Sequence, residues 1–188
     1  ATASELLRTR SDGRKGLIAA SVMRASKEAG VPRSLKELAR VFSTTPANIT
    51  KGSSQLNMAL YLGKSSPPKA LHISRASDYV ARFCFELQML EGIASVAAIV
   101  ADRADKTTIT CENEPPSVAG GAILLVFELF LSPERAPKSR KTDIAAAAGV
   151  SVVTIVKVRK RLHRYRADLF TSAESHVLRE LRKNKAEH

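Results

Sequence analysis

Apolar residues along this chain recur at intervals of three and four, and no sustained alternation appears. The pattern therefore predicts helices throughout and no strand of note. The clearest stretch runs from Lys138 to Arg166. Ile144, Ala145 and Ala148 share one helical face, and Gly149 ends that helix. Ser151 can cap a second helix, on which Ile155, Val158 and Leu162 share the inner side. An alanine, a glycine four residues on and an isoleucine six further make the spacing of a helix-turn-helix. Ala145 admits the second helix closely, Gly149 supplies the turn and Ile155 plugs the pair from beneath. Val153, Val156, Lys157 and Lys160 are left to point outward.

The rest of the chain reads in the same way. Residues 1–10 resemble the remnant of a helix, and Gly13-Arg14-Lys15-Gly16 reads as a basic turn. Leu17 to Ala29 is a helix rich in small residues, suited to the middle of a bundle. Ser34 and Glu37 have the spacing of a capping box, with Leu35, Leu38, Ala39 and Phe42 as the buried side of the next helix. Pro46 opens a helix to about Leu62. Gly63 to Lys69, with its paired prolines, is the linker. Helices follow over 74–90, with Val80, Phe83, Cys84, Leu87 and Leu90 inside, and over 93–103, after a break at Gly92. Thr107 to Pro116 is a loop, Val118 to Leu131 a helix with Gly120-Gly121, and Ser132 to Pro137 a loop. The charged tail from Thr171 carries only a weak stripe of Val177, Leu178 and Leu181, which predicts a short exposed helix or disorder.

The two halves repeat one order of parts. A small-residue helix (17–29, 118–131) leads to a Pro-containing turn, a short helix (35–42, 141–148), a tight turn and a longer helix. Leu38-Ala39 pairs with Ile144-Ala145, Ser43 with Gly149 and Ile49 with Ile155.

Charge narrows the function. The 188 residues carry a formal net charge of +12. Residues 1–64 hold eleven Lys or Arg against four acids, 65–112 five against six, and 113–188 fourteen against eight. Two basic blocks around a neutral stretch suit a polyanion touched at two places, most simply nucleic acid. From Lys138 to Arg166 there are nine Lys or Arg and one acid, Asp143, as suits a helix lying in the major groove. A solvated basic face on an ordinary all-α domain is the plainer alternative. Cys84 and Cys111 have no metal-ligand spacing, and Cys84 reads as core. His72, His163, His176 and His188 lack a carboxylate or Cys partner at catalytic spacing, so no enzyme, metal or cofactor is expected. No apolar run is long enough for a membrane span.

Several segments together carry a resemblance. Gly30-Val31-Pro32-Arg33-Ser34-Leu35-Lys36-Glu37 resembles the first repeat of the general transcription factor IIB family, whose core is two cyclin-like repeats. Ser74-Arg75-Ala76-Ser77-Asp78-Tyr79-Val80-Ala81-Arg82-Phe83-Cys84 resembles the first helix of the second repeat. Val150-Ser151-Val152-Val153-Thr154-Ile155 resembles the start of the family's DNA-recognition helix, and Arg166-Ala167-Asp168-Leu169-Phe170 the segment closing the core.

That resemblance implies an all-α fold of two tandem cyclin-like five-helix repeats, the second ending in the helix-turn-helix. Residues 1–64 would be the first repeat without its first helix, 65–72 the linker, 73–170 the second repeat and 171–188 a charged tail. It implies a monomeric, nuclear initiation-factor core. This core would bind the complex of TATA-binding protein with promoter DNA and help recruit RNA polymerase II. Lys51 falls where the family carries a basic DNA contact, and Arg14 and Lys15 lie in a basic turn near that interface. Val153 matches a base-contacting valine, with Thr154 beside it. The family's paired arginine three residues later is Val156 here, so phosphate contact by Lys157, Lys160, Arg161 and Arg164 is the part retained. Lys138, Arg140 and Lys141 complete the expected DNA-binding set. The family's zinc ribbon and polymerase-entering loop have no counterpart in these residues. The alternative of another class is a cyclin-type regulatory subunit of a protein kinase, which would need a long amphipathic helix before the first repeat.

Overall fold

The structure, a computed structural model, describes residues 5, 7–62, 73–107, 109–131 and 138–186. Among these the regular structure is entirely helical: α1 (Ser11–Glu28), α2 (Leu35–Val41), α3 (Pro46–Leu62), α4 (Ser77–Glu86), α5 (Glu91–Lys106), α6 (Pro115–Leu131), α7 (Lys138–Ala148), α8 (Val152–Arg164), α9 (Arg166–Leu169) and α10 (Ser172–Ala186). The chain divides into two compact units, Ala1–Ser74 and Arg75–His188. The expected linker, residues 65–72, and the loop 132–137 lie outside the described residues, as do His72, His188 and half of the expected helical remnant at 1–10.

In the first unit α1 lies along α3, and α2 closes one end. The small core is Ala19, Ala20, Leu38, Ala39 and Ile49, with Met23 and Phe42 against it. The expected basic turn at Gly13–Gly16 is not a turn. Helix α1 begins at Ser11 and runs through it, while residues 8–10 are non-helical. The reason is packing. A Cβ on Gly16 would collide with the carbonyl of Asn48, and one on Gly52 would sit 2.7 Å from the Gly16 backbone. The glycines let two helix backbones touch, which no side chain permits. The capping box forms: Glu37 N–H donates to Ser34 Oγ at 3.2 Å and Ser34 N–H to Glu37 Oε2 at 2.7 Å. Leu35, expected inside, is exposed.

In the second unit α6 is the axis. Every residue from Pro116 to Glu128 is buried, and α4, α5, α7, α8 and α10 all pack on it. The helix expected over 74–90 ends at Glu86, because Gln88 takes φ 51° and Leu90 is extended as the N-cap of α5. Leu90 is therefore exposed rather than inward. Gly92 is no break. It sits in the first turn of α5, where the side chain of Leu181 would meet a Cβ at 2.6 Å. Cys84 is core, and burial pushes its thiol up to about 11.

The tail is the largest departure. Instead of an exposed helix or disorder, α10 is docked, with Leu178 buried in the main core and Leu181 against it. Thr171 N–H donates to Glu174 Oε2 at 2.7 Å at its start. Arg103 of α5 reaches Glu174 Oε1 at 3.0 Å and the Leu169 carbonyl at 2.8 Å. These bonds from Arg103 and Thr171 hold the Glu174 carboxyl down at about 2.

Candidate nucleic-acid interface

The α7–turn–α8 pair has the local geometry that its residues call for. Gly149 takes φ 66°, in the left-handed region. Val150 N–H then donates to Ala145 O, and Gly149 N–H to Ala146 O, both at 3.0 Å. Ser151 caps α8: Thr154 N–H donates to its Oγ at 3.1 Å. Ala145 and Ile155 are buried, Ile155 completely. The first unit builds the same turn. Ser43 takes φ 47°, and Thr44 N–H donates to Ala39 O at 3.0 Å. Asn48 N–H donates to Thr45 Oγ1 at 3.2 Å, as Thr154 N–H does to Ser151 Oγ. Leu38, Ala39 and Ile49 are buried as are Ile144, Ala145 and Ile155.

The cations on these helices divide by what they touch. Glu128 is an acid buried within α6. It pairs with Arg159 of α8, whose Nε donates at 2.5 Å, and with Lys141 of α7 at 3.5 Å. One carboxylate therefore ties both helices of the pair to the central helix. Arg140 turns inward, donating to the Leu87 carbonyl at 3.2 Å and lying 5.3 Å from the Phe127 ring centroid. Arg161 reaches the exposed Glu112 at 3.1 Å. Lys157, Lys160 and Arg164 are exposed and form no ion pair among the described residues. The side chain of Lys138 lies outside the described set.

The outer face of α8 thus presents Val153, which is 63% exposed, flanked by Lys157 and Lys160. Thr154 is half-buried, its hydroxyl 2.8 Å from Ser151 Oγ. Val156, expected to point outward, is half-buried against the core. It lies one turn on from Val152, which also packs against the core, so this flank of α8 faces inward. In the first unit Arg14 is exposed, Lys15 makes a loose pair with Asp12 at 3.7 Å, and Lys51 lines a polar cavity of about 330 Å³ with Arg10, Asn48 and Gln55.

Sequence reasoning missed Glu128 and Arg159, though a lone acid inside the apolar run 118–131 was the signal for the first. It also missed Glu174, although Thr171 and Glu174 have capping-box spacing. Among the described residues no group of three or more His, Cys, Asp or Glu side chains could hold a metal, and no helix is long and apolar enough to cross a membrane.

No protein-family model matches the chain. Several curated proteins do. A transcription initiation factor IIB-like protein of Acanthamoeba polyphaga mimivirus is 26% identical over 93% of this chain and 38% of its own length. Transcription initiation factor IIB of Archaeoglobus fulgidus is 30% identical over 79% of the chain and 42% of its own length. The factor IIB of Schizosaccharomyces pombe is 29% identical over 82% of the chain and 47% of its own length. The chain spans less than half the length of each of these relatives. Matches of this extent from a virus, an archaeon and a yeast, joined to the all-helical fold, identify the chain as a divergent transcription initiation factor IIB-like protein.

Proposed function

We propose that this chain is the core of a general transcription initiation factor. In this reading it binds promoter DNA together with TATA-binding protein and helps bring RNA polymerase II, in the nucleus where the cell has one, as a non-enzymatic scaffold. Its two units serve as cyclin-like repeats. The observation that carries the reading is the outer face of α8, where Val153, Lys157 and Lys160 stand free while neighbouring bases are neutralised from within. Exposed cations with no acid beside them among the described residues, set around an exposed valine on a helix-turn-helix, are complementary to a polyanion whose grooves admit a helix. Arg164 extends the phosphate-facing set, Arg161 flanks it, and Lys138, at the start of α7, is assigned to it by the family resemblance. Thr154 supports α8 from its cap. In the first unit Arg14, Lys15 and Lys51 supply the second basic surface. Arg140 and Lys141 act by holding α7 in place rather than by reaching phosphate.

The test is a gel-shift titration on promoter DNA, with and without TATA-binding protein, at several salt concentrations. A ternary complex that weakens with salt is expected. The double variant Lys157→Ala with Lys160→Ala should lower the salt slope by about 2, one phosphate contact each, and weaken binding on all sequences alike. Val153→Ala should change the preference among sequences instead. A salt slope unchanged by the double variant overturns the assignment of α8 to DNA.

A further inference from the structure

The exposed cations of α8 are not scattered. Val153, Lys157, Lys160 and Arg164 stand four, three and four residues apart, and so form one stripe down the helix. Arg164 is the last residue of α8, and α9 opens at Arg166. At that end of the stripe lies a groove of about 460 Å³ between α9, α10 and the end of α6. Arg166, Arg179 and Arg182 line it, all three exposed, and no acid is among its described lining residues. The acids of α10 are engaged elsewhere: Glu174 is buried against Arg103, and Glu180 pairs with Lys183 at 2.9 Å. Arg182 Nε donates to the Phe130 carbonyl at 2.7 Å, and Arg179 Nε to the Ser175 carbonyl at 3.4 Å. Among the described residues the terminal amino groups of both make no bond, and Arg166 makes no side-chain bond. Helix α10 is itself fixed, since Arg103 joins the Leu169 carbonyl to Glu174 and Leu178 is buried in the core.

We infer that Arg166, Arg179 and Arg182 carry the stripe of α8 onward as a second phosphate-binding surface for the same DNA duplex, with the tail helix α10 as its support. This surface presupposes that α8 faces DNA, and it adds contacts outside the helix-turn-helix. Its position favours phosphate over base edges. A helix in the major groove is bounded by the two phosphate backbones, so cations past its end meet a strand. Its chemistry agrees, because the planar fork of an arginine matches phosphate oxygens in a two-pronged way. Leu129, Phe170 and Leu178 offer apolar surface to the arginine stems, which leaves the charged heads at the rim. Because α10 is packed on the core rather than free, its arginines are held in place before DNA arrives, and less entropy is lost on contact.

The experiment compares salt slopes of the promoter gel shift, with TATA-binding protein present, for the whole chain and three double variants. Arg166→Ala with Arg179→Ala should lower the slope by about 2, so that the parent's advantage at about 50 mM salt shrinks about tenfold by about 200 mM. The loss should be alike on all sequences. Arg166→Lys with Arg179→Lys should keep the parent slope, because a phosphate contact needs the charge. Arg182 is left intact because it holds the end of α6. Circular dichroism and thermal melts of both arginine variants should match the parent, as both positions are exposed. Lys157→Ala with Lys160→Ala is the reference. If it lowers the slope and the arginine-to-alanine pair does not, the proposal is overturned, the reading of α8 stands and the groove is left to a protein partner. If only the arginine-to-alanine pair lowers it, the arginine surface stands and the reading of α8 falls. A slope moved by neither, absence of a DNA complex, or a lysine pair that loses as much as the alanine pair overturns the proposal.

Discussion

In the first unit, three helices meet around a core of five buried side chains, and α1 still exposes Ile18 and Val22. In the second, the corresponding trio α6, α7 and α8 is wrapped by α4, α5 and α10, and α6 is buried from Pro116 to Glu128. The turns are the same, down to the hydrogen bonds at Ser43 and Gly149. The means of cohesion differ. The first unit joins α1 to α3 backbone to backbone, through Gly16 and Gly52. The second sets Gly120 and Gly121 beneath the side chains of Ile155 and Val158 and adds a buried ionic tie at Glu128. One motif can thus be stabilised by close approach with few side chains, or by enclosure with many. The first arrangement concentrates its stability at fewer positions.

The largest expected effect breaks the weaker arrangement. Gly52→Val puts a branched side chain into the Gly16 backbone and should destabilise the first unit by about 3 kcal/mol or more. Two-dimensional NMR should lose the resonances of residues 11–62 and keep those of the second unit. Loss of both sets together would show that the units fold as one.

Next is the ionic tie. Glu128→Gln leaves the partly exposed Arg159 and Lys141 without their shared carboxylate, and losing charge-assisted bonds of this kind costs about 2 kcal/mol. Glu28→Gln in α1 removes only the surface pair with Arg24, 3.0 Å away and half-exposed, and should cost less than about 0.5 kcal/mol. Urea denaturation of the two variants measures the contrast. Equal effects would erase the distinction between the units.

The tail provides the pH-dependent term. The Glu174 carboxyl titrates near 2, well below its ordinary 4.5, because Arg103 and Thr171 stabilise its charge. Its contribution is therefore complete above about 4.5 and lost as pH falls toward about 2. Asp105, raised by burial, runs in the opposite sense. The difference between the parent chain and Glu174→Gln isolates Glu174. That difference should be about 2 kcal/mol at neutral pH and should shrink between pH 4.5 and 2 in thermal melts. A constant difference would remove Glu174 from the latch.

The smallest effect tests the shared turn. Ser43 holds a left-handed conformation that glycine adopts without strain, so Ser43→Gly should stabilise by about 0.5–1 kcal/mol. Gly149→Ala should cost about 1–2 kcal/mol by the same steric rule. Shifts of one sign for both would mean that the two turns are not equivalent.

Much of this was legible along the chain. The three- and four-residue spacing marked nearly every helix, the Ser34–Glu37 box marked a helix start, and the pairing of Ser43 with Gly149 anticipated a backbone conformation. These are local properties, set by residues within a turn or two of each other. The misreadings share one cause. Gly13 to Gly16 looked like a turn, but a contact with Gly52, far along the chain, makes it helix. The tail looked solvated, but Leu178 and Leu181 find partners on α5 and α6. Val156 reads as outward because one residue of helical phase cannot be resolved without the surface it faces.

Among the basic residues the division is sharper still. Nine lysines and arginines between 138 and 166 already meant a surface suited to a polyanion, since net charge is a sum and needs no fold. Which of them remain free was decided in three dimensions. Glu128 lies ten or more residues from each of its partners, and Leu87 takes Arg140 from more than fifty residues away. The chain's order of residues sets helical propensity, caps, turns and total charge, because those arise from neighbours. The assignment of each cation to the interior or to solvent belongs to the tertiary structure, because an ion pair depends on distances that only packing creates.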